Sequence, residues 1–187
     1  MNLKTMTNDT TGFGAATALW IASITALSIA GSLAFACAAP LAAIAALAGT
    51  KMKSGEGMTL VAAAWLSNQV VGFGLLGYPM AGETFAWGAA MGIASVVAFF
   101  GARAVSVSAG TSLAALAGAF FAAFAAYQAS LYVAGFAIGS VHEAFSMAVV
   151  QHVLAVNLVA FGGFALLHRA AEAFSLVRPA ATTTAAA

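Results

Sequence analysis

The feature that most constrains this chain is the near absence of charge over lengths that match the hydrocarbon core of a bilayer. No Asp, Glu, Lys or Arg lies between Thr11 and Thr50, Met58 and Gly82, Thr84 and Ala102, Ala104 and Val141, or Ala144 and Leu167. Charged residues make up 6% of the sequence and hydrophobic residues 63%, whereas a soluble domain carries about 25% charged residues. Six basic and five acidic side chains cannot solvate a globular surface. A disordered chain would be poorer in apolar residues and richer in charge. Membrane residence is what remains, with the lipid bilayer as the first partner, and a span takes about 20 apolar residues.

The charges between these blocks set the topology. Two blocks fit one span each, at 58–78 and 84–101, joined through Tyr78-Pro79-Met80-Ala81-Gly82-Glu83, where Pro and Gly end a helix. By length alone the first block holds one long or two short helices, and the stretch from 104 to 167 two or three. Lys and Arg stay on the cytoplasmic side. Lys4, Lys51, Lys53, Arg103, Arg169 and Arg178 share one side if each outer block holds two spans. The expectation is therefore an all-α polytopic transmembrane bundle of six helices in a bacterial inner membrane, N-terminus and C-terminus both inside. Its spans are 12–31, 33–50, 58–78, 84–101, 109–133 and 143–167, with a first turn near Gly31-Ser32 and a last one between Gly135 and His142. Residues 1–11 form a cytoplasmic segment and 170–187 a cytoplasmic tail whose Thr- and Ala-rich end after Pro179 is disordered. A five-span chain with its N-terminus outside misplaces only Lys4 and is the alternative.

Ala34-Phe35-Ala36 before Cys37 matches a small-x-small cleavage pattern. The apolar stretch in front of it exceeds the usual core of a signal peptide, and apolar sequence continues beyond, so it reads as part of the membrane block. A single cysteine forms no internal disulfide. Gly88-x-x-x-Gly92, Gly135-x-x-x-Gly139 and the ladder Ala26, Ala30, Ala34 supply the small-residue surfaces by which helices approach in lipid.

Polar groups inside apolar spans carry the functional information, since in hydrocarbon they must find partners. Asn68 and Gln69 fall near the middle of the third span, and Gln151, His152 and Asn157 in the sixth, with His152 at a similar depth to Asn68. Gln128 lies toward the outer end of the fifth. These residues are read either as a ligand-binding set, Asn68, Gln69, Gln128, His152 and Asn157, in which amides offer donors and acceptors and His152 titrates, or as interhelical hydrogen bonds. On the outer face Glu83, His142 and Glu143 form a candidate entry for a cation, or simply end their spans in solvent. His168 and Arg169 read as interfacial anchors.

Enzyme signatures do not assemble. His142-Glu143 lacks the second histidine of a zinc-protease helix, because Ser146 stands there. Gly72-x-Gly74-x-x-Gly77 matches a dinucleotide fingerprint only formally, with no strand before it. No Gly-x-Ser-x-Gly elbow occurs, no metal-ligand spacing appears, and no particular cofactor is indicated. The net charge of +1, without a basic run, argues against nucleic acid as a partner.

In helix number, orientation and the Ala26, Ala30, Ala34 ladder of its first helix, the chain resembles the small substrate-binding membrane subunits of energy-coupling-factor vitamin transporters. The resemblance implies a pocket opening outward and a first-helix alanine face that docks a coupling subunit. Three functions follow from the whole reading: a small-molecule or ion transport component, a non-catalytic subunit of a larger membrane complex, or a membrane enzyme acting on lipid or quinone through His152 or His142 with Glu143. The third has no motif behind it.

Overall fold

A computed structural model describes residues 14–34, 39–109, 112–139 and 145–173. Among them the chain forms six helices and no strand: α1 Ala15–Ala34, α2 Leu41–Lys51, α3 Ser54–Gly74, α4 Gly82–Ala109, α5 Leu113–Ile138 and α6 Met147–Ala173. The expected all-helical bundle is present. α4, α5 and α6 are long and apolar enough to cross a membrane. Their outward faces carry Ile93, Phe100, Val107, Phe121, Val133, Val159 and Leu166, each more than half exposed. Water does not tolerate a continuous apolar surface of that extent, whereas lipid does.

α2 departs from the expected spans. A full-length helix over 33–50 is expected, but α2 has eleven residues, roughly 16 Å at 1.5 Å per residue, and reaches only half-way through a bilayer core. α1 runs through Gly31 and Ser32, the expected turn, to Ala34. Pro40 then immediately precedes α2. The physical reason is that glycine inside a helix only weakens it, whereas proline removes a donor and is accommodated at a helix start.

α2 is the centre of the molecule. Leu41 to Ala48 are each at most 1% exposed, and the helix is enclosed by α3, α4, α5 and α6. A helix apolar on every face is one surrounded on every face, which explains Leu-Ala-Ala-Ile-Ala-Ala-Leu-Ala as a sequence. Small residues let the neighbours close in. A Cβ added to Gly49 would lie 2.7 Å from the Phe99 carbonyl oxygen and 3.0 Å from Ala102 Cβ, and one added to Gly57 would meet the Phe99 ring. α4 and α5 share the longest pairing, with Gly101 of α4 against Ala122 and Ala126 of α5.

Direction follows from contacts. The Arg103 guanidinium Nη1 donates to the Met52 carbonyl at 3.2 Å, so Arg103, Lys51 and Lys53 occupy one end of the bundle. Trp20 lies against His168, the neighbour of Arg169, with ring centroids 5.2 Å apart and planes tilted at 58°, and Lys51 is near enough to act on His168 electrostatically. The four described basic side chains therefore gather at one end, and the helices alternate away from it and back. Glu83, twenty positions before Arg103 along α4, marks the opposite end. The expectations for residues 1–11, for Cys37, for His142 and Glu143 and for most of the tail lie outside the described residues.

The contact at Gly49 gives a stability prediction. Gly49→Ala pushes against backbone of α4 and lowers stability by about 1–3 kcal/mol. Gly162→Ala, where nothing lies within 4 Å of the added Cβ, leaves it unchanged or raises it by up to about 1 kcal/mol. Thermal unfolding in detergent micelles measures both.

Candidate functional site

A helix that begins inside an apolar bundle leaves backbone N–H groups with no water to satisfy them. At the start of α2 the Leu41 N–H donates to the Ala39 carbonyl at 2.8 Å and the Ile44 N–H to the Pro40 carbonyl at 3.0 Å. The Ala43 N–H donates to Asn157 Oδ1 at 2.9 Å. Asn157 is fully buried, and its Nδ2 donates to the Val153 carbonyl one turn back on α6 at 2.9 Å. A side chain 114 positions away thus performs the capping that a local Ser or Asp performs elsewhere. At the other end of α2 the Thr50 hydroxyl donates to Ala46 and Leu47 carbonyls, and Arg103 covers Met52. Cations at a helix C-terminus also match its dipole.

Beside this break lies a crevice of about 400 Å³ between α1 and α6, lined almost wholly by apolar groups. Leu27 of α1, Pro40, and Val156, Ala160, Gly163 and Phe164 of α6 form its walls. It opens sideways, toward the surface on which Val159 and Leu166 are exposed. Toward the basic end, α1 and α6 meet at the Trp20–His168 ring pair. His168 is 3% exposed, and its Nε2 lies 3.4 Å from Glu172 Oε1.

The other sequence-derived candidates stand elsewhere. Asn68 and Gln69 are half-buried on α3. Gln69 lies against α4, its Oε1 2.5 Å from where a Cβ on Gly88 would sit, and Trp65 Nε1 donates to the Gly88 carbonyl at 2.8 Å. The Gly88-x-x-x-Gly92 surface is therefore the groove that receives Trp65 and Gln69. Gln128 is half-buried on α5, and Gln151 and His152 are exposed on α6. Because α6 starts at Met147, His152 lies only about 8 Å along it, and Asn68 about 9 Å from the end of α3. Each is nearer its helix end than the expected spans imply. Among the described residues no hydrogen bond joins Asn68, Gln69 or Gln128 to His152 or Asn157. Glu83 is exposed in the first turn of α4. Gly139, at φ +90°, ends α5 as its left-handed cap, and Tyr78 folds back so that its ring covers Gly72.

His168 differs from the expected interfacial anchor: it is buried, while Arg169 is exposed. The signal for it was periodic. Asn157, Phe161, Phe164 and His168 fall on one face of α6 at helical spacing, so a polar residue on that face is directed inward. Among the described residues no group of three His, Cys, Asp or Glu is placed to hold a metal ion. No family model, curated protein or solved structure matches the chain.

The cap generates a direct test. Asn157→Leu leaves the Ala43 N–H buried without a partner and destabilises the protein by about 1–3 kcal/mol. His152→Leu, at an exposed position, changes stability by less than about 0.5 kcal/mol. Denaturant titration of the two purified variants in micelles separates them.

Proposed function

We propose that this chain is a small-molecule transport component of a bacterial inner membrane, and that its ligand is apolar or weakly polar. The observation that carries this reading is the crevice at the half-height break before α2. Broken helices at mid-depth are tolerated where they are buried in protein or line a cavity, and in transporters such breaks form the substrate site. Here Pro40 is buried and also lines the crevice. The volume of about 400 Å³ falls within the range of about 300–1,000 Å³ of small-molecule sites. Its lining favours a lipid-soluble molecule over the uncharged polar ligand that Asn68, Gln69, Gln128, His152 and Asn157 would suit. The grouping of basic side chains supports a cytoplasmic position for that end of the bundle.

A second reading, a non-catalytic subunit of a membrane complex, draws support from α1. Ala15, Ala18, Ala22 and Ala26 are exposed along it, a small-residue face open to another helix.

The two readings separate in one experiment. Gly163 has nothing within 4 Å of an added Cβ, so Gly163→Phe places a ring in the crevice without displacing backbone. Solvent extraction of purified wild-type protein followed by mass spectrometry is expected to yield a bound compound in stoichiometric amount, and Gly163→Phe to lose it while eluting as folded protein. Identical extracts from both overturn the transport reading, and co-purification of a second membrane protein that is lost in Ala26→Leu supports the subunit reading.

A further inference from the structure

Beyond the α1–α6 crevice, toward the basic end, lie groups without hydrogen-bond partners among the described residues. Trp20 is 7% exposed and His168 3%. Trp20 Nε1, His168 Nδ1 and His168 Nε2 are all buried and have no hydrogen-bond partner among the described residues. Nε2 lies within ion-pair distance of Glu172 but out of hydrogen-bond alignment. Burial of the ring favours the neutral imidazole. A protonated one gains the carboxylate of Glu172 as counter-ion and the face of the Trp20 indole, whose centroid at 5.2 Å is inside the ~6 Å reach of a cation–π contact.

We propose that His168 is a proton-binding site that fastens α1 to α6 when charged and releases them when neutral. The proton comes from water at the basic end through Glu172, which is 28% exposed, and resides on Nε2 of His168. Charged and titratable groups facing His168 are Glu172 from α6 itself and Lys51 from the end of α2. Burial, the largest influence, and Lys51 oppose the charged ring, and Glu172 favours it. α1 contributes Trp20, which is uncharged but polarised to receive a cation. Neither Phe164 nor Leu167 on α6, nor Leu27 on α1, offers a polar alternative, so the Trp20–His168 pair is the contact through which protonation reaches the gap. The consequence for a molecule in the crevice rests on the transport reading, but the joint itself does not.

The test uses the full chain in lipid nanodiscs with no added ligand. The sequence has three histidines and three tryptophans, so ring-labelled samples give three imidazole and three indole signals, assigned with His168→Gln and Trp20→Phe. The His168 signal is expected to titrate in the acidic window below the ordinary histidine value of 6.5, and the Trp20 indole N–H to move with the same midpoint. Spin labels at the exposed positions Leu27 and Leu166 are expected to show a single narrow distance below that midpoint and a broader, longer one above it. Glu172→Gln, on a partly exposed side chain, is expected to move the midpoint to lower pH. A His168 signal that does not titrate in this window, a titration with an unchanged distance distribution, or a midpoint indifferent to Glu172→Gln overturns the proposal. Because no ligand is present, none of these outcomes depends on whether the crevice carries one, and loss of the extracted compound in Gly163→Phe remains a separate result.

Discussion

The structure depends on the hydrogen bond between the Ala43 N–H and Asn157 Oδ1. A helix that starts in the middle of an apolar bundle confronts a requirement that helices ending in water avoid, because every backbone donor in its first turn must be met by protein. Pro40 contributes its carbonyl to Ile44 and fixes the entry of the chain, and Ala39 serves Leu41. For Ala43 the acceptor is supplied by α6, which ties the last helix of the sequence to the second at one height. With that tie in place α2 has a defined position, and α3, α4 and α5 pack around it. Fully buried alanine on every side of α2 is otherwise a poor specifier of register, since Ala presents the same methyl group everywhere. The amide of Asn157 removes that ambiguity.

Helix number and direction were legible because they rest on charge, which is sparse and therefore informative. Lys51, Lys53 and Arg103 could be assigned to one end from the sequence, and the contact of Arg103 with Met52 brings them together. The half-length of α2 was not legible. Its sequence is as apolar as a span, and periodicity distinguishes one face from another only when a helix has an outside; α2 has none. The break was misplaced to Gly31-Ser32 for a related reason. Glycine and proline both punctuate sequence, but only proline removes a donor, and Pro40 lies so deep in an uncharged block that nothing local separates a break from a kink.

The candidate site was partly legible. Asn157 was singled out as a buried amide needing a partner, but a ligand and a backbone N–H are equivalent acceptor-seekers, and only the fold shows which one arrives. Gln69 and Trp65 share one interface with Gly88 and Gly92, a pairing invisible in sequence because a small-x-x-x-small pattern records that something fits without recording what. His168 was judged by its place near a helix end rather than by its face. Counting along α6 from Asn157 places it on the inward seam, one turn beyond the crevice wall at Phe164.

The bundle is unequally built, and that inequality bears on where motion belongs. α2, α3, α4 and α5 meet through Gly49, Gly57 and Gly101: an added methyl group would press on α4 backbone at Gly49 and on the Phe99 ring at Gly57, and at Gly101 it would reach ordinary contact with Ala122 and Ala126. α6 is held to this half through the amide of Asn157 and the stacked rings of Phe120 and Phe161, whose centroids are 4.9 Å apart. Along its face toward α1, Gly163 has nothing within 4 Å of where a side chain would begin. Close-packed interiors resist small displacements, whereas an interface carried by a few specific contacts can switch between two arrangements at low cost. On the transport reading proposed above, a molecule entering from lipid would meet this less tightly packed half, and the capped end of α2 would set the depth to which it passes.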